Sequence, residues 1–365
     1  MPLKTVSGKH TDPRKGRGAG INPEGRFEKV EREAFDDGWN RSSEEDLPSL
    51  KTQVTEERVK TIIARNDSPD IPFTQSINPY QGCEHGCSYC YARPSHAYRN
   101  LSPGIDFETR LFAKVNATEA LRAELSRPGY KCDVISLGAN TDPYQPIERR
   151  YKITRGVLEV LAEFNHPVGI VTKNAMIERD LDILAPMARK RLVNVYISCN
   201  NLDHEIARRL EPRCPAPARR LEAMRRLTDA GVPVGVLVAP VIPFLTDGQI
   251  EAVLEAAWAH GARQAGYVLL RLPWEIKDIF KDWLERHYPL KAQHVMSRVR
   301  EMRGGRDNDP NFGSRMRGSG ELAMLLARRF EVVCRRLGFN SGSRYVTLDT
   351  AKFAPPDRGR QRELF

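Results

Sequence analysis

From about residue 72 onwards, short runs of apolar residues alternate with longer stretches in which apolar residues recur at helical spacing. The runs are rich in Val and Ile and nearly continuous, which is typical of parallel β-strands covered on both faces. The predicted strands are Thr74–Asn78, Asp133–Leu137, Val168–Thr172, Val193–Ser198, Val234–Val241 and Ala265–Leu270.

Helices are predicted between and after these strands. In the stretch 153–165, for example, Ile153, Val157, Leu161 and Phe164 fall on one helical face. The predicted helices are 116–127, 153–165, 176–190, 204–230 with a break at Pro215 and Pro217, 247–260 and 274–287. Six βα units in succession favour an α/β fold, a partial (β/α)6 TIM-like barrel whose chemistry lies at the C-terminal ends of the strands.

The segments on either side of this predicted barrel domain, 72–289, have a different composition. Residues 1–71 begin basic and rich in Gly and Pro and then turn acidic, which predicts an extended or disordered arm. Within it, the stretch Glu57–Arg65 is predicted to form a strand or a helix that packs on the core. Residues 290–365 predict a C-terminal extension with three parts. These are an Arg- and Gly-rich loop at 298–320, a helix from Leu322 that ends at Gly338, and a short strand at Tyr345–Leu348.

The chain has 365 residues and a net charge of +10. Such a charge favours a phosphate-rich partner such as DNA or RNA, although it is equally typical of a general solubility charge. No apolar run approaches the roughly 18 residues of a membrane span, and the N-terminus lacks the apolar region of a secretory signal. Together with the clustered cysteines, these features predict a cytoplasmic protein that has no membrane contact.

Three cysteines stand close together in the stretch 78–98. Cys83, Cys87 and Cys90 form a C-x3-C-x2-C pattern, with Tyr89 directly before the last. Three cysteines at this spacing favour one inorganic centre over a disulfide framework. A four-iron cubane needs a ligand for each iron, so three thiolates leave one iron open for chemistry. The alternative is a structural zinc with His85 or His96 as the fourth ligand, although the sequence has no second Cys-x2-Cys pair.

Polar residues also follow the later strands. Asn140 and Asp142 lie in the loop after the second predicted strand, Lys173 follows the third, and Ser198 and Cys199 end the fourth. Each of them alone is compatible with ordinary turn and capping chemistry. Because parallel strands end at one edge of a sheet, their recurrence favours a shared site.

The cysteine pattern, with an aromatic residue before the third cysteine, resembles the signature of the radical S-adenosylmethionine (SAM) enzymes. Within that superfamily the chain resembles the branch that includes spore photoproduct lyase, a DNA repair enzyme. The matching segments are Val171-Thr172-Lys173, Ser198 with Asn200, Glu211-Pro212, Arg220-Leu221-Glu222-Ala223 and Val238-Ala239-Pro240. The resemblance implies a radical SAM type of partial barrel, one [4Fe-4S] cluster, SAM as cofactor or cosubstrate, and an electron donor of the flavodoxin or ferredoxin type.

The resemblance also implies roles for individual residues. SAM carries a carboxylate, an ammonium group, a ribose and an adenine, which suit lysine, hydroxyl and amide partners. The implied cofactor-binding residues are Tyr89 and Tyr91 beside the adenine, Asn140 and Asp142 along the site, Lys173 and Ser198 at the methionyl end, and Glu211 with Arg220 as a supporting ion pair.

The chain departs from that branch at a catalytic position. Spore photoproduct lyases carry a cysteine in the loop after the second strand that returns a hydrogen atom to the product radical, whereas Gly138-Ala139-Asn140 stands here. Cys199 is therefore the candidate catalytic thiol, with a buried packing cysteine as the alternative. The remaining cysteines, Cys132, Cys214 and Cys334, are widely scattered and predict no second cluster.

Three functions follow from these observations. The first is a one-cluster radical SAM enzyme whose substrate is a nucleic acid, a peptide or a small molecule. The second is a nucleic-acid-binding protein with a structural zinc and no catalysis. The third is an electron-transfer iron–sulfur protein, which is disfavoured because such proteins normally give every iron a thiolate.

Overall fold

The computed structural model describes residues 17–27, 51–341 and 347–356. The strands are, in chain order, β1 (Gln53–Glu57), β2 (Ile63–Arg65), β3 (Gln75–Ile77), β4 (Tyr80–Gln81), β5 (Arg110–Lys114), β6 (Ile135–Leu137), β7 (Val168–Thr172), β8 (Val193–Ser198), β9 (Val234–Val241) and β10 (Gln264–Leu269). The main sheet has seven strands in the order β10-β9-β8-β7-β6-β3-β2.

All strands of the main sheet except β2 are parallel. β3, β6, β7, β8, β9 and β10 pair in parallel with their neighbours, and β2 adds to β3 in the antiparallel direction. The two edge strands, β10 and β2, have no pairing with each other among the described residues, so the sheet stays open. The predicted partial (β/α)6 barrel is therefore confirmed, with β2 as an addition.

Helices follow the strands in the predicted alternation. They are α1 (Asp106–Thr109), α2 (Ala117–Leu125), α3 (Glu148–Tyr151), α4 (Ile153–Glu163), α5 (Leu181–Arg189), α6 (His204–Leu210), α7 (Pro217–Asp229), α8 (Ile250–Ala259), α9 (Ile276–His287), α10 (Pro289–Glu301), α11 (Ser314–Arg317) and α12 (Gly320–Leu337). The main core lies between helices and sheet, where Val157 and Leu161 of α4 are fully buried with Ile170 of β7.

The predicted break in the stretch 204–230 is present. α6 ends at Leu210 and α7 begins at Pro217. Proline suits that first helical position because its missing N–H would have no partner within the helix there. The chain between the two helices is therefore free to reach the cysteine loop, as described below.

Part of the predicted N-terminal arm packs on the folded domain, and β2 falls within the stretch Glu57–Arg65 predicted to pack on the core. β1 pairs in parallel with β5, and β4 pairs with β5 on its other side, so that these strands form a second sheet. In residues 17–27, Gly18, Ala19 and Gly20 are buried against the domain. Backbone hydrogen bonds and ionic contacts hold β1 and residues 17–27 on the domain. For this reason neither stretch needs a periodic apolar pattern, and none is present in its sequence.

The C-terminal extension is more helical than predicted. α10 continues to Glu301, so the Arg- and Gly-rich loop predicted from residue 298 begins later, and it contains the short helix α11. The predicted final helix is present as α12, and Gly338 ends it at a φ of 76°. Of the strand predicted at Tyr345–Leu348, Tyr345 and Val346 fall outside the described residues, and the described Thr347 and Leu348 belong to no strand. In the described part of the chain, no helix has the length and apolar character needed to cross a membrane.

Candidate cluster and cofactor site

The three cysteines lie on one loop that leaves β4, close to the C-terminal end of β3. Cys83 and Cys87 are buried, Cys90 is half-buried, and all three are free thiols. The loop turns tightly, because the Cys90 N–H donates to the Cys87 carbonyl at 3.3 Å. Gly86 has a φ of 67°, a left-handed conformation that suits a residue without a side chain.

A buried ion pair contacts the backbone of this loop and holds it in place. Arg93 and Glu108 are both fully buried, and their guanidinium nitrogen and carboxylate oxygen lie 2.5 Å apart. Arg93 also donates from Nε and Nη2 to the Cys87 carbonyl at 2.9 and 2.8 Å. Sequence reasoning missed this pair, since nothing in the local pattern joins an arginine after the motif to a glutamate on α1.

Residues 17–27 pack on the same glutamate. The N–H groups of Gly18 and Ala19 donate to the two Glu108 oxygens at 3.0 and 2.8 Å. A Cβ on Gly18 would lie 1.7 Å from the carbonyl oxygen of Gly86, so only glycine fits this approach to the cysteine loop. Residues 17–27 therefore cover one side of the cysteine loop.

The strand-end residues Asp142 and Lys173 meet beside the cysteines. Asp142 accepts from the Thr172 hydroxyl at 2.6 Å and from the Lys173 N–H at 2.8 Å, and one of its oxygens lies 3.4 Å from His85 Nδ1. Although burial favours the neutral acid, His85 and these donors lower the pKa of Asp142 to about 2. Protein groups thus engage both carboxylate oxygens, and Asp142 orients Lys173 and His85.

The side chain of Lys173 keeps its positive charge. Burial alone would lower its pKa, but the Cys87 thiol and the Glu211 carboxylate nearby raise the pKa above its ordinary value. A half-buried lysine held between acidic groups at the end of a parallel strand is a suitable partner for a carboxylate ligand.

The predicted ion pair between Glu211 and Arg220 is present and buried. Both side chains are at most 2% exposed, and Arg220 also donates to the Ser198 carbonyl at 3.1 Å. Despite burial, the charges of Arg220 and Lys173 hold the pKa of Glu211 below its ordinary value. The Tyr89 hydroxyl donates to the Glu211 carboxylate, so the cysteine loop is tied to the end of β8.

The other predicted site residues occupy different positions. Tyr91 donates its hydroxyl to the Ala139 carbonyl and leaves 51% of its surface exposed. The Asn140 N–H donates to the Asn78 side chain at 2.8 Å, at the start of the loop after β6. Ser198 is buried at the end of β8, 5% exposed.

Cys199 follows β8 and lies within electrostatic range of the Arg220 and Glu211 side chains. Its side chain is fully buried in the main core, and its thiol donates to the Asn201 carbonyl at 3.4 Å. Burial raises its pKa to about 11. This burial is typical of a packing cysteine, and the role of Cys199 as the catalytic thiol stays a prediction.

Cys214 lies close to the cysteine loop. The sequence did not predict this, because Cys214 is far from the three clustered cysteines along the chain. It lies between α6 and α7 and packs in the same cluster as Cys87. A hydrogen bond from the Cys214 thiol and the positive charge of Lys173 lower the pKa of Cys87 to about 7, although burial alone would raise it. The backbone explains the approach, because Ser88 N–H donates to Leu210 O at 3.0 Å and Arg213 N–H donates to His85 O at 3.3 Å.

The electrostatics of the three cysteines suit a cationic cluster. Burial and the neighbouring Cys87 and Cys83 thiolates raise the pKa of Cys90 to about 12, so the thiolates oppose one another. A metal centre relieves that repulsion by binding the ionised thiols. No three Cys, His, Asp or Glu side chains of the described residues are placed to hold a single metal ion. A cubane differs from a single ion in binding each thiolate at a different iron.

Comparison with known proteins agrees with this geometry. The sequence model of the radical SAM superfamily matches residues 77–257. An uncharacterized protein of Mycobacterium tuberculosis is 37% identical over 261 residues, which are 71% of this chain and 75% of that protein. An uncharacterized protein of Methanocaldococcus jannaschii is 26% identical over 249 residues, or 68% of this chain and 89% of that protein.

Among solved structures, spore photoproduct lyase complexed with dinucleoside spore photoproduct is similar in fold. Its TM-score is 0.57 at 16% sequence identity, and the match covers 78% of this chain and 80% of that one. A double mutant of the same lyase with bound AdoMet and dinucleoside spore photoproduct gives a TM-score of 0.55 at 17% identity, with the same coverage of both chains. The chain belongs to the radical SAM superfamily and is an enzyme of that superfamily, with a [4Fe-4S] cluster and SAM as its cofactors.

Proposed function

We propose that this enzyme holds one [4Fe-4S] cluster through Cys83, Cys87 and Cys90 and acts on a nucleic acid. When bound, the cluster supplies one electron that cleaves SAM to a 5′-deoxyadenosyl radical, which abstracts a hydrogen atom from the substrate. The observation that carries the proposal is the position of the cysteine loop beside Lys173, at the edge where the parallel strands end.

Lys173 supplies the positive charge of the site. Its backbone N–H is fixed by Asp142 at 2.8 Å, and its ammonium group lies close to Cys87 and Glu211. In this proposal the ammonium group binds the carboxylate of SAM by a charge-assisted hydrogen bond. Glu211 and Arg220 act one step further out, because they hold Tyr89 and the end of β8 in place.

The site keeps water away from the cysteines. Cys83 and Cys87 are 7% and 6% exposed, and the arm at 17–27 packs on the loop that carries them. Exclusion of water and of stray hydrogen donors is what a reaction through a carbon radical needs. Tyr91, the residue after Cys90, is 51% exposed, so the cysteine loop reaches the protein surface at this side chain.

Two features support a nucleic-acid substrate. The net charge of +10 favours a polyanionic partner. The second feature is a likeness in fold to spore photoproduct lyase, which has been solved with a dinucleoside photoproduct. The enzyme also needs a reductant, for which we propose a protein of the flavodoxin or ferredoxin type.

Anaerobic reconstitution with iron and sulfide tests the cluster. We expect about four irons per chain and an electron paramagnetic resonance signal of the reduced protein that shifts when SAM is added. Replacing Cys83, Cys87 or Cys90 by Ala should lower the iron content, whereas Cys132→Ala, a matched substitution at a half-buried cysteine outside the loop, should leave it unchanged. One zinc per chain and a spectrum indifferent to SAM would refute the proposal.

A further inference from the structure

Arg271 carries a half-buried positive charge that has no carboxylate partner. It follows β10 directly, and none of the ion pairs in the described part of the chain includes it. Its Nη1 donates only to the Met316 sulfur at 3.4 Å, and its buried Nε has no hydrogen-bond partner. Because an unpaired charge is costly to bury, an anionic ligand at this place would stabilise the arrangement.

Arg271 lies beside Tyr91, the residue that follows the last cysteine of the loop. Its guanidinium carbon is 5.8 Å from the centre of the Tyr91 ring. Tyr91 adjoins Cys90, and its hydroxyl is tied to the Ala139 carbonyl, which keeps the half-exposed ring in place. A group bound between Arg271 and this ring would therefore lie next to the cysteine loop.

The segment around α11, which contacts Arg271 through Met316, is held in place by hydrogen bonds of Arg303 and Arg315. Arg303 donates to the Leu270 carbonyl after β10 at 2.8 Å and to the Arg315 carbonyl of α11 at 2.8 Å. Arg315 in turn binds both oxygens of Asp70. Arg303 and Arg315 are thus occupied by the protein, and they position the residues around them.

Two side chains of this rigid segment remain available. Phe312 is 58% exposed, although the Arg315 guanidinium carbon lies 4.6 Å from the centre of its ring. Arg317 is exposed, and its guanidinium carbon lies 4.1 Å from the centre of the Tyr267 ring. Arg317 takes part in none of the ion pairs of the described residues. Because Met316 of α11 contacts Arg271, this contact brings Arg317 and Phe312 near Arg271 and the Tyr91 ring.

We propose that Tyr91, Arg271, Phe312 and Arg317, here called the arginine mouth, bind an unpaired stretch of nucleic acid. The guanidinium groups of Arg271 and Arg317 contact phosphates, while the rings of Tyr91 and Phe312 stack on bases. A base must leave the double helix to reach a radical formed within the site, so the mouth is suited to a single strand. This inference rests on the proposed function and assigns its substrate-binding surface.

The test is fluorescence anisotropy of the reconstituted full chain with a labelled mixed-sequence single-stranded oligonucleotide. Arg271→Gln and Arg317→Gln should each weaken binding by roughly tenfold and lower the dependence of log K on log salt by about one. Arg328→Gln removes the same charge from an exposed position on α12 and is the matched control, for which we expect little change. Phe312→Ala should weaken binding with an unchanged salt dependence, since stacking is not ionic.

Several results would overturn the inference. These are equal losses in Arg271→Gln and Arg328→Gln, no loss in either mouth variant, or equal binding of polyglutamate and oligonucleotide by the wild-type chain. Arg317→Gln is exposed and keeps the test open if Arg271→Gln fails to fold. SAM cleavage by the wild-type chain without oligonucleotide is measured in parallel. If cleavage occurs and the mouth variants bind normally, only this inference fails; if cleavage is absent, the proposed function fails.

Discussion

Arg315 binds both carboxylate oxygens of Asp70, with Nε to Oδ2 at 2.6 Å and Nη2 to Oδ1 at 2.5 Å, although 245 residues separate them. Asp70 follows β2 at one edge of the open sheet, and Arg315 belongs to α11, which packs on β10 at the other edge. The two side chains are only 9% and 14% exposed. This ion pair therefore joins the segments beside the two edge strands.

Asp70→Asn tests the contribution of this ion pair to stability. The substitution removes one charge of a largely buried pair and should lower the free energy of unfolding by about 1–2 kcal/mol. Urea unfolding measures the change. Glu255→Gln is the control, because it breaks the ion pair between Glu255 and Arg336. Both of these side chains are more than half exposed, so the free energy of unfolding should change much less. Equal losses in the two variants would show that the Asp70 pair has no special role.

Gly18→Ala tests the docking of residues 17–27 on the cysteine loop. The added Cβ would meet the Gly86 carbonyl oxygen at 1.7 Å, so the arm must move away. Hydrogen exchange of the Gly18 and Ala19 N–H groups, which donate to Glu108, should accelerate. Gly248→Ala is the matched control, because nothing lies within 4 Å of a Cβ there. Unchanged exchange in Gly18→Ala would contradict the packing described.

His166 should make stability depend on pH. It is fully buried, its Nδ1 lies 3.0 Å from the Pro167 carbonyl, and burial lowers its pKa to about 4. The unfolded chain binds a proton near pH 6.5, so this contribution to stability is present above about pH 6.5 and is lost as pH falls towards 4.

We expect the free energy of unfolding to fall by about 1–3 kcal/mol across this range for the His166 contribution. Urea unfolding at about pH 7 and pH 5 measures the slope, which His166→Asn should reduce. His204→Asn removes an exposed histidine at the start of α6 and serves as the control. A slope that His166→Asn leaves unchanged would exclude His166 as its source.

Lys173→Gln tests the proposed partner of the SAM carboxylate. Loss of a charge-assisted hydrogen bond should raise the Kd of SAM by roughly ten- to a hundredfold, as measured by isothermal titration of the reconstituted protein. Iron content should stay at the wild-type level, because the cysteines are untouched. Lys190→Gln, at an exposed lysine that ends α5, is the control. Normal SAM affinity in Lys173→Gln would remove Lys173 from the binding site.

The parallel strands were predictable because each is a short, nearly continuous apolar run, as is typical of strands buried on both faces. Val193–Ser198 and Val234–Val241 were predicted with the bounds that the structure has. β1, Gln53–Glu57, was missed since its sequence QVTEE has no apolar alternation and its residues are at least partly exposed. Hydrophobic pattern predicts what the core holds and says little about strands held by their hydrogen bonds at an edge.

The candidate site was predictable where its residues lie at strand ends or in a spaced motif. The buried pair Arg93 and Glu108, the contact of Cys214 with Cys87, and the docking of Gly18 are long-range and polar, so no local periodicity announces them. Cys199 shows the limit of a strand-end position as a signal. It stands at a strand end, as a site residue would, and its side chain is fully buried in the main core, so sequence position alone does not separate a catalytic thiol from a packing one.

Formation of 5′-deoxyadenosine tests most directly whether the cysteine loop is the centre that cleaves SAM. The anaerobically reconstituted chain is incubated with SAM and a strong reductant, beside Cys83→Ala and the matched Cys132→Ala variant. We expect 5′-deoxyadenosine from the wild-type chain and from Cys132→Ala, and none above background from Cys83→Ala. Reduced, iron-loaded wild-type protein that leaves SAM intact, or cleavage that persists in Cys83→Ala, would contradict the assignment of this cysteine loop as the catalytic centre.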